Sequence, residues 1–333
     1  MQGEINFVIE GGKKLTGSVE TSRSKNGAVA LLAASLLNRG ATTLENMPRI
    51  EEVNRLIEVL KSIGVSVEWA GANVVIIPPK TISLQTIDRA AATRTRSILM
   101  FIGPLIHMFK KFELPQSGGC TLGLRSVRPH LMALEKFGVN IEAHSDSYRI
   151  THEKLVPTEV VLYESSDTAT INALFAAARV NGTSIIKYAS ANYQVQEVCG
   201  FLRALGVSVE GIGSTTLTVQ GVANIAKEVS YSIAEDPTDA MFFIAAAAVT
   251  GSAITINAAP IEFLEVELFI LGKMGLKFKL SKQRLSENGI TKLVDISLKP
   301  SVLVAFPEKI HARPYPGLNI DNLPFFVPIA TQA

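Results

Sequence analysis

The hydrophobic pattern of this chain repeats. A helical stretch ends in glycine and passes directly into an alternating strand at 60–68, 134–142, 202–210 and 271–279. The glycines are Gly64, Gly138, Gly206 and Gly275, a period of about 70 residues. Glycine suits that position because a helix end turns through left-handed backbone, which glycine adopts without steric cost. The alternation that follows predicts a strand with one buried face.

A second pattern lies half a period earlier. Ala28–Leu37, Ile171–Val180 and Ala240–Val249 are rich in Ala and Leu, and each leads through a glycine into a strand. Those strands are Thr42–Met47, Thr183–Tyr188 and Ala253–Ala258, while Ser97–Met108 followed by Lys110–Leu114 is a less regular member. The helices are apolar almost all round, which predicts burial on every side. Four helix–strand–helix–strand units are complete. A fifth opens at Asp321 with the apolar stretch Asn322–Ala333. The expectation is therefore an α/β protein whose second domain is incomplete, with a missing segment or a partner chain supplying the rest.

Composition changes this picture little. The 333 residues are 47% hydrophobic and 19% charged, with a net charge of +2, so nothing points to a nucleic-acid or membrane surface. The longest apolar stretches are shorter than the roughly 20 residues that cross a bilayer. Cys120 and Cys199 are too few for a disulfide framework and read as free thiols, as expected in a reducing cytoplasm. The five histidines are scattered without metal-ligand spacing, and Gly211-Ile-Gly213 between two strand-like segments reads as a turn.

Three motifs carry candidate chemistry: Ser24-Lys-Asn-Gly-Ala28, Gly118-Gly-Cys-Thr-Leu-Gly-Leu-Arg125 and Pro316-Gly-Leu-Asn-Ile-Asp321. Cys120 lies in a glycine-rich loop near Arg125 and Arg128, where a thiolate would be stabilised, although a loop cysteine can also be incidental. Cys199, in a helical stretch, reads as a buried structural thiol. Lys25 precedes a helix start, a position that favours anions. Asn26 and Asp321 each stand where a helix N-cap is also expected.

With these motifs and its repeats the chain resembles the enolpyruvyl transferases, most closely the branch whose acceptor is UDP-N-acetylglucosamine. The resemblance implies a two-domain inside-out α/β barrel. Residues 25–229 would form the first domain with three repeats. Residues 1–24 and 230–333 would form the second, with one complete repeat and the start of another. It also implies transfer of the enolpyruvyl group of phosphoenolpyruvate to a sugar hydroxyl, without metal or organic cofactor.

By the same resemblance Cys120 donates a proton, Asp321 acts as base, and Lys25 and Arg125 bind phosphoenolpyruvate. Asn26 and Arg96 contact substrate, with Arg94 an alternative for Arg96. Arg125, Ser126, Val127, Arg128 and Pro129 fall in a substrate-contacting stretch, and Ser166 and Asp167 lie where the family contacts uridine. Several positions depart from the family pattern: Asp167 replaces Val, Glu164 replaces Lys, Ser126 replaces Pro and Arg128 replaces Asp. A shikimate 3-phosphate acceptor and a non-catalytic binding remnant are the alternative expectations.

Overall fold

A computed structural model describes residues 6, 8–116 and 127–333. Among these residues the helices are α1 (Lys25–Ala34), α2 (Glu51–Ser62), α3 (Arg89–Thr93), α4 (Ile102–Leu105) and α5 (Arg128–Glu135). They continue with α6 (Asp167–Ala178), α7 (Tyr193–Ala204), α8 (Pro237–Thr250), α9 (Glu265–Lys273) and α10 (Phe326–Ala330).

The repeat has the backbone geometry its sequence demands. Gly64, Gly138, Gly206 and Gly275 have φ of 95°, 92°, 93° and 94°. After α2, the Gly64 amide donates to the Lys61 carbonyl and the Val65 amide to the Leu60 carbonyl. The same pair of bonds closes α7 at Gly206 and α9 at Gly275, satisfying carbonyls that a helix end leaves unpaired.

Three sheets line one core. The first runs Val229–Ser232, Thr42–Glu45, Asn73–Ile77, Ser66–Ala70, with its first pair parallel. The second runs Lys111–Pro115, Ser147–His152, Val139–Ala143, all antiparallel. The third runs Ser208–Glu210, Thr216–Gly221, Gly182–Lys187, Glu159–Val161, and the turn at Gly211–Gly213 joins its first two strands. Strand Ser66–Ala70 shows the alternation of a sheet with one wet face. Helices α1 and α6 lie inside, buried on all sides beyond their first turns. Cys199 on α7 is also buried there, and its burial pushes the thiol pKa up to about 12.

A second core forms on the fourth sheet. Thr16–Glu20 pairs in parallel with Ala253–Pro260, which pairs antiparallel with Lys292–Lys299. Lys277–Leu280 and Arg284–Leu285 pair with Lys292–Lys299. Buried residues of α8, α9 and α10 pack on this sheet. Three expectations are corrected by the structure. Helix α8 is not buried all round, because Phe242 is 49% exposed. Asn322–Ala333 is not one apolar helix but a 3-10 turn, Leu323–Phe325, followed by short α10, which buries only Phe326 and Ile329. The expected helix Ser97–Met108 likewise divides into a 3-10 segment, Arg96–Phe101, and α4.

Candidate active site

The two cores are joined by paired crossings at 20–24 and 233–236. The Ser24 amide donates to the Ala234 carbonyl at 2.7 Å, and the Asp236 amide to the Ser22 carbonyl at 2.8 Å. Arg23 donates to the Ile233 carbonyl and pairs with Glu235 at 2.8 Å. The crossings set the starts of α1 and α8 side by side, and one carboxylate serves both. Asp236 Oδ1 accepts from the Thr238 amide at 2.8 Å as the cap of α8, while Oδ2 accepts from the Lys25 amide at 3.1 Å. Burial raises the pKa of Asp236, opposed by those two amides.

Helix α1 is capped by Ser24, whose hydroxyl accepts from the Gly27 amide at 2.9 Å. Asn26 is therefore not the cap; its Nδ2 donates to the Tyr193 hydroxyl on α7 at 2.8 Å. Behind it, Glu197 is fully enclosed. Its Oε1 accepts from the Ala234 amide at 2.6 Å, and its Oε2 has no hydrogen-bond partner among the described residues. Burial first, with the nearby carboxyls of Glu235 and Asp236, lifts its pKa to about 8 against the bond from Ala234. Gly27 permits this contact, since a Cβ there would lie 1.7 Å from Glu197 Oε2 and would displace that carboxyl.

Lys25 points its ammonium at Glu52 on α2, with Nζ 2.7 Å from Oε2. Glu52 Oε1 also accepts from Thr95 Oγ1 at 2.7 Å and Ser97 Oγ at 2.5 Å. Burial opposes ionisation of Glu52, yet these bonds outweigh it and hold the carboxyl below its usual range. Arg96, between those two hydroxyl residues, opens the 3-10 segment.

Lys25, Asn26, Arg96, Ser97, Tyr193 and Asp236 line a cleft of about 1190 Å³ bordered by both cores, with Glu52 and Glu197 behind its surface. It brings together Lys25, Asn26, Arg96, Arg128, Pro129, Ser166, Asp167 and Asp321. Arg94 is exposed and lies outside it, which favours Arg96 of the two. Val127, also outside it, packs against the first core ahead of α5. Cys120, Arg125 and Ser126 lie outside the described residues.

Ser166 caps α6, and its neighbour Asp167 ties that helix to the start of α7. The Asp167 carboxylate accepts from Ser190 Oγ, from Asn192 Nδ2 at 3.2 Å and from Gln194 Nε2 at 2.5 Å. Asp321 lines the same cleft from the second-core part of the chain and is exposed. It caps no helix: its amide donates to Asn319 Oδ1 at 3.0 Å, and the following 3-10 turn begins after Asn322. Glu52, Tyr193, Glu197 and Gln194 were not singled out from the sequence. Each acts through a partner distant in sequence, and no local motif marks such a pair.

A cleft of this volume, lined by Lys and Arg together with an exposed carboxylate, defines an α/β protein suited to anionic substrates. Residues 9–332 match the family described as EPSP synthase (3-phosphoshikimate 1-carboxyvinyltransferase). The chain belongs to that family of enolpyruvyl transferases. It is 33% identical to a UDP-N-acetylglucosamine 1-carboxyvinyltransferase of Bradyrhizobium diazoefficiens, over 98% of this chain and 75% of the relative. It is 31% identical to the enzyme of that name from Treponema denticola, with the same coverage. Among solved structures, the enolpyruvyl transferase NikO from Streptomyces tendae superposes with a TM-score of 0.80 at 20% identity, covering 98% of this chain and 74% of that one. EPSP synthase from Acinetobacter baumannii gives 0.70 at 19% identity, covering 95% and 69%. These two likenesses support the inside-out α/β architecture.

Proposed function

We propose that the chain is a UDP-N-acetylglucosamine 1-carboxyvinyltransferase. The supporting observation is that relatives of that name align over 98% of its length at 31–33% identity. The cleft, lined by Lys25, Arg96 and Arg128 together with Asp321, is compatible with that reading. In it, residues 25–229 act as one domain and residues 1–24 with 230–333 as the other.

The acceptor would be the 3′-hydroxyl of the amino sugar. Asp321 takes its proton as the oxygen attacks C2 of phosphoenolpyruvate, while C3 gains a proton from Cys120. The product of this addition is a tetrahedral ketal. Loss of a proton from C3 re-forms the double bond, the C2–O bond to phosphate breaks, and the enolpyruvyl ether and phosphate leave. Lys25 and Arg125 neutralise the donor's phosphate and carboxylate, Asn26 and Arg96 hold the acceptor, and Arg128, Pro129, Ser126, Ser166 and Asp167 border the nucleotide, while Val127 supports Arg128 from the first core. The exchange is redox-neutral and consists of paired proton transfers and C–O bond changes. The product would feed cell-wall synthesis in the cytoplasm.

Phosphate release measured with phosphoenolpyruvate and either UDP-N-acetylglucosamine or shikimate 3-phosphate tests this reading. Release with the nucleotide sugar, and a product heavier by one enolpyruvyl group, is expected. Release with shikimate 3-phosphate alone would transfer the chain to the other branch of its family.

A further inference from the structure

Glu52 takes no part in the steps above, yet its carboxylate joins two parts of the cationic wall. One oxygen receives the Lys25 ammonium, and the other receives the hydroxyls of Thr95 and Ser97, the residues flanking Arg96. Thr95 Oγ1 also accepts from the Ser97 amide at 3.1 Å, capping the 3-10 segment that Arg96 opens. A Thr95 hydroxyl that donates to Glu52 keeps its lone pairs free for that amide, so the carboxylate orients the cap. Glu52 is itself held on the first turn of α2, whose Val53, Leu56 and Ile57 are buried in the first core. Its three donors thus bind α1 and the Arg96 segment to one rigid helix.

We propose that Glu52 is a positioning residue that fixes the Lys25 ammonium relative to the Arg96 segment, and so sets the donor subsite against the acceptor subsite. This rests on the reading in which Lys25 faces phosphoenolpyruvate and Arg96 faces the nucleotide sugar. An ammonium has three donors, so Lys25 can keep Glu52 and still bind a phosphate oxygen. A neutral amide at position 52 offers one acceptor oxygen to three donors, and the register between the two cations is lost.

The test compares Glu52→Gln and Glu52→Asp with the wild type, and uses Glu51→Gln as control, because exposed Glu51 pairs with Arg55. Glu52→Gln is expected to raise KM for both substrates roughly tenfold, the loss typical of one charge-assisted hydrogen bond, with a smaller fall in kcat. Glu52→Asp keeps the charge and should recover part of that loss, while Glu51→Gln should match the wild type. Acetylation of Lys25 by acetic anhydride, followed by mass spectrometry, reads the ion pair without catalysis. It should rise several-fold in Glu52→Gln, and inorganic phosphate should protect Lys25 better in the wild type than in that variant. Unchanged acetylation, or a KM for phosphoenolpyruvate that stays level or falls, would overturn the proposal. The second outcome would mark Glu52 as a counter-ion that competes with substrate. A wild type that is inactive with every acceptor would refute the proposed reaction, and the acetylation and phosphate-protection results would still decide the role of Glu52.

Discussion

The two walls of the cleft are built differently. On the first-core wall, Lys25, Asn26 and Asp167 are each held by hydrogen bonds to side chains from other elements, Lys25 by Glu52 behind the wall. On the second-core wall, Asp321 sits on an exposed turn, and among the described residues its carboxylate makes no hydrogen bond. A held cation keeps its aim before substrate arrives, so little is spent ordering it. An unbonded, hydrated carboxylate keeps its lone pairs available for a substrate proton. One wall is organised to bind, the other is left open to react.

Substitutions on the two walls should therefore separate activity from stability. The largest effect is expected at the open wall. Asp321→Asn should lower kcat about 10²–10⁴-fold, as loss of a general base does, with an unchanged melting temperature. A matching fall in melting temperature would show that Asp321 is structural. Next, Lys25→Met on the built wall should reduce kcat/KM for phosphoenolpyruvate by roughly 10–100-fold, mostly through KM, as loss of a charge-assisted contact does. It should also lower the melting temperature slightly, because Glu52 loses its cation. Tyr193→Phe removes the acceptor for Asn26 Nδ2. Without that anchor the Asn26 amide loses its fixed orientation in the cleft, which should appear as a several-fold rise in acceptor KM.

The smallest effect concerns pH and lies behind the built wall. The Glu197 pKa of about 8 exceeds the ordinary carboxyl value, so the folded protein holds a proton that the unfolded chain releases. Its contribution to stability is therefore full below the ordinary carboxyl pKa of about 4.5 and declines as pH rises towards 8. Glu197→Gln keeps a neutral acceptor for the Ala234 amide and should remove this decline. The melting-temperature difference between variant and wild type should widen in the variant's favour from pH 5 to pH 8. A constant difference would mean that Glu197 does not titrate in that range.

The sequence carried the architecture because each repeat marks itself locally. A glycine needed at a helix end is visible without knowledge of its neighbours, and all four adopt the same φ. The motif residues Lys25, Asn26 and Asp321 were visible for a related reason, since each lies beside a recognisable helix start or loop, whereas Arg96, Ser166 and Asp167 came only from the resemblance to the family. What holds them was not visible. The Glu52–Lys25, Tyr193–Asn26 and Glu197–Ala234 contacts join elements far apart in the chain, and no periodicity reports them. Helix α8 misled for a similar reason: a run of Ala and Phe reads as buried throughout, but packing covers only one face, leaving Phe242 exposed.

The central claim is that the two walls act on one substrate pair by addition and then elimination. The most direct measurement is turnover in deuterium oxide with UDP-N-acetylglucosamine and phosphoenolpyruvate, followed by mass analysis of the enolpyruvyl methylene. A transient methyl group at C3 that gains one solvent hydron and loses one hydrogen predicts deuterium in the vinyl group of the product. A product formed in full with an unlabelled methylene would contradict the account.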